Sequence, residues 1–557
     1  MNKTTFISKL HKKTALKYAL ILFLIAFFLY ALYNLNFFYT VQNPSWQNAW
    51  DNFKSIFSFA SHNKELSANI WLINWNYFLI TLKSVTIGTF FGFLLAIVTG
   101  YCSATNIHKH KYFPFLVKII LMLLRAFPVI VFILLFKNAF SAELASFIIY
   151  FWFTWLWMNR YIADLIESCS TKQYFRDLAL GINKLQSFYK NIYQQVKIKF
   201  FLNFFLSYES NIRWLTILGL VGINGLGIVF ADPKHYQDSF GITLLFIAMF
   251  ILIIESILYL LNKILLVQKP QFQPTKQTIK CWKYNWKKYV LCLMLIGYFA
   301  VMIWGFISLA DSKIYSITLK QYFANVFKFD FSSFNWGVMK QYFIILQQAY
   351  VSVVLAYILG VMYAYILAEK INKNYSVIAS KIVLTFIKVV PTYFWFLVFN
   401  PLMDSVAAIT VALVVSAFRK MTKQISESIN TLPSNIIALY KVKGWSKLKI
   451  YRYYVLPYVN KQLLSVFIFQ GEDAVRNSIS YGTFANLGIY NLVLQYQDKN
   501  EYSKIFPVII PAYIFFIILE ISFWIYKEKN IFIRNKRNKN RTLTKISSHY
   551  IRFYSNL

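Results

Sequence analysis

Residues 77–101 read YFLITLKSVTIGTFFGFLLAIVTGY. At about 1.5 Å of rise per residue, an apolar run of this length crosses a hydrocarbon core about 30 Å thick as a single α-helix. A helix also satisfies its own backbone polar groups, for which lipid offers no partner. Comparable runs lie on both sides, at 18–35, 112–136, 142–163, 200–231 and 241–261, and then at 289–309, 342–367, 377–399, 406–418, 463–490 and 505–526. With 58% hydrophobic and 20% aromatic residues in 557, the chain has more apolar surface than a soluble domain covers. The fold class read from this pattern is an all-α polytopic membrane protein with about twelve transmembrane helices.

The net charge of +37 is spread over segments between the apolar runs. Lys9, Lys12, Lys13 and Lys17 precede the first run, Lys109 and Lys111 follow the second, and Lys276, Lys280, Lys283, Lys287 and Lys288 follow the sixth. Basic flanks belong in the cytoplasm, as do both termini of a chain with an even number of spans. A cell-membrane, multi-pass protein is therefore expected, with its basic segments against anionic lipid head groups. No single basic domain forms, so a nucleic-acid partner is not expected. The first run is long and lacks a small-residue cleavage site, which argues against a cleaved signal peptide.

Cys102, Cys169, Cys281 and Cys292 have no paired spacing, and the six histidines form no ligand constellation, so no disulfide framework and no metal site is indicated.

A constant shift of 263 positions, the distance from Gly181 to Gly444, also aligns Pro128 with Pro391, Glu209 with Glu472, Arg213 with Arg476, Gly219 with Gly482 and Gly225 with Gly488. With 17 glycines in 557 residues, chance supplies about 0.3 matched glycine pairs at one shift, against three found. The chain is thus two related halves, 1–268 and 269–530, followed by a basic tail, 531–557. An even number of spans per half gives both copies the same orientation, with a pathway between them.

Each half carries a long segment between its fourth and fifth runs. The first includes Ala179-Leu180-Gly181; the second includes Ala438, Gly444 and then Leu456-Pro457. A glycine joining two short helices makes either a protruding knob suited to a cytoplasmic partner or an amphipathic element resting on the inner leaflet. Further on, Glu209 and Arg213, and likewise Glu472 and Arg476, stand four residues apart on a helix. An unpaired charge at such depth costs at least about 2.5 kcal/mol. These pairs, with Asn211, either lock helices into the bundle or line a polar pathway. Gly219, Gly222, Gly225 and Gly227 serve close packing or a hinge, and so do their counterparts Gly482 and Gly488. Pro128 and Pro391 are expected to kink their helices.

The segment around Gly444 and Leu456-Pro457 resembles the cytoplasmic signature of permeases of binding-protein-dependent ABC importers: Glu-Ala-Ala, three residues, Gly, nine residues, Ile-x-Leu-Pro. Here Ala438-Leu439-Tyr440 replaces the first element, Tyr454 replaces Ile, and the first copy has Tyr193-Gln194 where Leu-Pro falls. Tyr208-Glu209-Ser210-Asn211-Ile212-Arg213, the glycines after it and Arg125-Ala126-Phe127-Pro128 look like the phosphonate-type branch. Fused halves rich in Lys, Asn and Phe are similar to large permeases of mycoplasma high-affinity transport. The resemblance implies a type I importer-like permease that is not itself an enzyme. It also implies two copies of an ATP-binding subunit, which hold ATP and magnesium, and an extracytoplasmic solute-binding protein. In keeping with that, the sequence has no G-x-x-x-x-G-K-[ST] phosphate loop. The implied solute is phosphonate, another oxyanion or a phosphorylated vitamin such as thiamine pyrophosphate. The alternative reading is a self-contained ion-coupled transporter or channel, with Glu209 and Glu472 as ion sites.

Overall fold

A computed structural model describes residues 3–522 apart from 39–43, 64–67, 109, 111, 266–281, 327 and 431. The basic tail, Cys281, Lys276 and Lys280, and the 268/269 boundary lie outside the described residues, as does the side chain of Arg213.

Among the described residues the chain is helical apart from loops and a two-residue strand pair, His62–Asn63 with Ala68–Asn69. The first half contributes α1 (Lys3–Asn34), α2 (Trp46–Ser55), α3 (Ile70–Ser103), α4 (Tyr112–Ala126), α5 (Val129–Ala139) and α6 (Ala142–Glu167). It continues through α7 (Lys172–Ala179), α8 (Lys184–Ser187), α9 (Gln194–Leu220), α10 (Pro233–Tyr236) and α11 (Phe240–Leu265). The second half contributes α12 (Trp282–Leu309), α13 (Ser316–Val326), α14 (Trp336–Leu367), α15 (Asn374–Val389), α16 (Thr392–Phe399) and α17 (Ser405–Asn430). After these come α18 (Ser434–Val442), α19 (Lys447–Ile450), α20 (Leu456–Tyr481), α21 (Gly488–Asp498) and a terminal helix over Tyr502–Ser522.

Among the described residues five helices are long and apolar enough to cross a membrane unaided, or up to seven if each of two bent pairs makes one span. Each apolar run read from the sequence falls on a helix or a bent pair, with four boundaries to correct. The runs at 112–136 and 377–399 are not single kinked helices but pairs, α4–α5 and α15–α16, bent by 78° and 83°. The proline at each break has no N–H and excludes the residue before it from the helical region, so the helix stops and restarts. The runs at 200–231 and 463–490 end as α-helix at Leu220 and Tyr481, where glycine-bearing loops take over.

The first helix of each half lies on the opposite half. Tyr350 on α14 donates its hydroxyl to Leu24 O on α1 at 2.9 Å, and Asn34 Nδ2 donates to Gln347 Oε1 at 2.6 Å. Reciprocally, α12 packs on α3, with Gly305 against Ile87 and Tyr298 donating to Thr86 O at 3.3 Å. The outward faces of α1 and α12 are exposed leucine, isoleucine and phenylalanine, as lipid contact requires. Within the first half, Gly88 and Gly92 lie so close to the backbone of α6 that an added Cβ would come within 2.8 Å and 2.5 Å of a carbonyl oxygen.

Candidate functional site: two knobs and an ion-paired interface

The knobs repeat bond for bond. α7 ends at Leu180 and Gly181, the latter at φ +82°; Gly181 N–H donates to Leu178 O at 3.1 Å, and Ile182 N–H donates to Asp177 O at 3.0 Å. α18 ends the same way, with Gly444 at φ +74°, Gly444 N–H on Lys441 O at 3.0 Å and Trp445 N–H on Tyr440 O at 3.1 Å. These are helix-ending turns that need a left-handed residue, which is why glycine stands at both. Then α8 and α19 follow, and next come π-helical segments at Phe188–Tyr193 and Tyr451–Val455, before the long helices α9 and α20. Pro457 sits in the first turn of α20, where its missing N–H costs nothing. Both tips are bare: nothing lies within 4 Å of a Cβ added at Gly181 or Gly444. Ala179, Leu180 and Ala438 are exposed, whereas Leu456 is half-buried. Tyr174 and Ile437 anchor the knobs from below at matched positions; burial pushes the Tyr174 phenol up, so it stays protonated.

The interface between the halves is charged, and its partners cross over. Arg125, in the last turn of α4, forms a two-pronged ion pair with Glu520 of the terminal helix, Nε to Oε1 at 2.6 Å and Nη2 to Oε2. Lys388, its equivalent 263 residues on, reaches back into the first half, with Nζ 2.6 Å from Glu209 Oε1 and 2.7 Å from Glu255 Oε1. Glu472 pairs with Arg476 on its own helix at 3.1 Å, as the four-residue spacing implied. For Glu209 the described partner is Lys388 of the other half, the side chain of Arg213 lying outside the described residues. Asn211 is not at the interface: its Nδ2 donates to Thr89 and Thr154 Oγ1, both at 2.8 Å, joining α9 to α3 and α6.

Breaking a helix in the membrane frees carbonyls that must find donors. Arg476 Nη1 donates to Arg125 O at 2.8 Å. At the second break Arg419 Nη1 donates to Lys388 O and Val390 O at 3.3 and 3.2 Å, and its Nη2 to Thr392 Oγ1 at 2.9 Å. Sequence reasoning singled out neither Arg419 nor Lys388 and Glu520. The signal for Lys388 was present, since the shift that pairs Pro128 with Pro391 also pairs Arg125 with Lys388.

Beyond α9 the backbone turns at Gly222 (φ +90°) and Gly225 (φ +156°) and folds back so closely that a Cβ on Gly219 would overlap the backbone of Gly227 and a Cβ on Gly227 the carbonyl of Leu215. Leu226 N–H donates to Thr81 Oγ1 at 3.0 Å. The glycines here permit a close approach of the backbone and a break in the helix. In the second half Gly482 starts a short 3₁₀ turn and Gly488, at φ +65°, starts α21.

Two polar cavities lie between the halves. One of about 220 Å³ is bounded by Arg125, Arg160, Asp164, Glu472, Asp473 and Arg476; another of about 50 Å³ is bounded by Ser210, Trp214, Thr392, Arg419, Asn477 and Tyr481. A larger space of about 640 Å³ between α3, α9, α11 and α12 is walled by phenylalanine, isoleucine and tyrosine, and suits lipid rather than a polar solute. Among the described residues no group of histidine, cysteine, aspartate and glutamate is placed to hold a metal ion.

The chain belongs to the family of binding-protein-dependent transport system inner membrane components, which it matches at residues 69–266 and 356–527, one stretch in each half, and this makes it a transporter permease. It is 26% identical over 450 residues to the ABC transport system permease protein p69 of Mycoplasma genitalium, covering 79% of this chain and 82% of that one. With the protein of the same name from Mycoplasma pneumoniae it shares 26% identity over 466 residues, 80% of this chain and 84% of the relative.

Proposed function

We propose that this multi-pass membrane protein imports a small solute, using ATP hydrolysed on separate subunits. The observation that carries the reading is the pair of bare, glycine-turned knobs at matched positions, with the same backbone hydrogen bonds. Two equivalent docking points suit two copies of an ATP-binding subunit, which would hold ATP and magnesium and drive the halves between inward-facing and outward-facing states. The knobs and both termini then face the cytoplasm, lipid surrounds the outer helices, and an extracytoplasmic binding protein delivers the solute. The resemblance to the phosphonate-type branch supports a small oxyanion or phosphorylated compound as cargo. Engagement of Glu209 and Glu472 by cations weighs against an ion-coupled carrier that needs free carboxylates.

Gentle purification from the native membrane, mass spectrometry of what accompanies the chain and an ATPase assay with candidate ligands test this reading. Recovery of an ATPase and a solute-binding protein is the expected result. A partner-free chain that transports on its own would overturn it.

A further inference from the structure

Arg125 and Lys388 are the same position in the two halves, each one turn before the proline at which a span breaks. Each reaches into the opposite half, between an acid of the long helix after the knob and an acid of that half's last helix. For Lys388 these are Glu209 and Glu255, at 2.6 and 2.7 Å. For Arg125 they are Glu472, which lines the same 220 Å³ cavity, and Glu520, which it binds through two nitrogens.

The two ends are occupied differently. Lys388 holds both of its acids at once. Arg125 holds only Glu520, while Glu472 Oε1 is taken by Arg476, whose Nη2 also stands 3.8 Å from Glu520 and whose guanidinium covers the Phe516 ring at 4.1 Å. Glu472 Oε2 is buried and receives no hydrogen bond from any described residue, in a side chain only 8% exposed. An open acceptor beside a cation already held by a second acid is a ready alternative seat: Arg125 can leave Glu520 for Glu472 without becoming a bare charge in the membrane.

We infer that these crossed ion pairs are a reciprocal latch that holds the two halves in the arrangement seen here, and that Glu472 Oε2 is the seat Arg125 takes when the first latch opens. Because each cation is anchored at a span break, movement at either latch is transmitted to the short helices α5 and α16 rather than absorbed within one straight helix. The inference concerns how the halves are held and stands independently of what hydrolyses ATP.

The test uses the full chain in lipid nanodiscs, with spin labels at Leu180→Cys and Lys443→Cys, exposed positions on the two knobs. Glu520→Gln should shift and broaden the distance distribution between the halves, and adding Lys388→Gln should shift it further. Glu520→Asp keeps a carboxylate facing Arg125 and should keep the parental distribution. If Glu520→Gln is not recovered from the membrane, Lys388→Gln alone decides the matter by its distances. Glu472→Gln in the Glu520→Gln background removes the second seat and should broaden the distribution beyond Glu520→Gln alone. Distributions unmoved by Glu520→Gln and by Lys388→Gln, or a Glu520→Asp variant as shifted as Glu520→Gln, would overturn the latch; absence of an ATPase partner would leave these distances unaffected.

Discussion

The two knobs have one backbone and two interiors. In the first, Asp177 is buried and accepts a hydrogen bond from Asn191 Nδ2 at 2.8 Å; at the positions 263 residues on, Tyr440 and Tyr454 face each other with ring centroids 5.2 Å apart. Both pairs bridge the short helix before the glycine to the π-helical segment after it, so a polar clasp and an aromatic clasp close the same loop. The glycine turn is invariant between copies because only the backbone dictates it, whereas the clasp changed as a unit because each partner makes sense only with the other. Among the described side chains the interface shows the same pattern, with one lysine facing two acids at the second break and two arginines sharing Glu520 and Glu472 at the first.

That inequality of cations gives the largest expected effect. Lys388→Met removes at one stroke the lysine that faces both the buried Glu209 and the half-buried Glu255, and taking one partner from a buried ion pair costs about 3–5 kcal/mol. Arg125→Met leaves Arg476 3.8 Å from Glu520, so it should cost less. Thermal unfolding of the two variants in detergent measures the difference; equal losses would mean that the two breaks are held alike.

At the knobs, Gly444→Asp places a side chain at the bare tip and at a φ of +74°. Strain of about 1 kcal/mol leaves insertion and membrane abundance nearly normal. Uptake should fall by about tenfold or more, equivalent to about 1.4 kcal/mol lost at the docking contact, with ATP hydrolysis continuing. Gly181→Asp should do the same if the first knob grips as the second does. A variant pair in which only Gly444→Asp impairs uptake would show that the departure of Tyr193-Gln194 from Leu-Pro matters. Unchanged uptake in both would remove the knobs from coupling altogether.

What was legible in the sequence follows from which interactions are local. Gly181 and Gly444 declare themselves because a helix-ending left-handed turn is specified within a few residues, and the Glu472–Arg476 pair because four residues is one helical turn. Pro128 and Pro391 announced a disturbance, but its size, 78° and 83°, depends on carbonyl partners such as Arg476 and Arg419 that come from elsewhere in the chain. The run at 200–231 looked continuous because glycine barely lowers hydropathy, so the turns at Gly222 and Gly225 left no mark on the apolar profile. The Glu209–Lys388 contact spans the interface between halves, and no spacing rule along one chain reports it.

The clasps can be separated by a double-mutant cycle. Asn191→Tyr alone takes a hydrogen-bond donor from the buried Asp177 carboxylate and should cost about 1–3 kcal/mol. Adding Asp177→Tyr rebuilds the aromatic clasp of the second knob in the first. If the two interiors are interchangeable, the double variant should be more stable than the sum of the single changes by about 0.5–3 kcal/mol. An additive result would show that the loop of the first knob has adapted to its polar pair beyond the two side chains.

The smallest effect belongs to the hydroxyl of Tyr454. It is buried and makes no hydrogen bond with any described residue, although its ring packs on Tyr440 at 5.2 Å and on Tyr458 at 6.0 Å. The aromatic clasp should therefore work through its faces alone. Tyr454→Phe keeps the faces and removes the unsatisfied oxygen, so stability should hold or rise by up to about 1 kcal/mol. Tyr454→Asn, which supplies the residue found at the matched position of the first knob but leaves Tyr440 opposite it, should lose the ring pairing, worth about 0.5–1.5 kcal/mol beyond the area buried. Phe falling below the parent in thermal unfolding would mean that the hydroxyl has a partner in the working protein, and the second clasp would then be partly polar, closer to the first than its rings suggest.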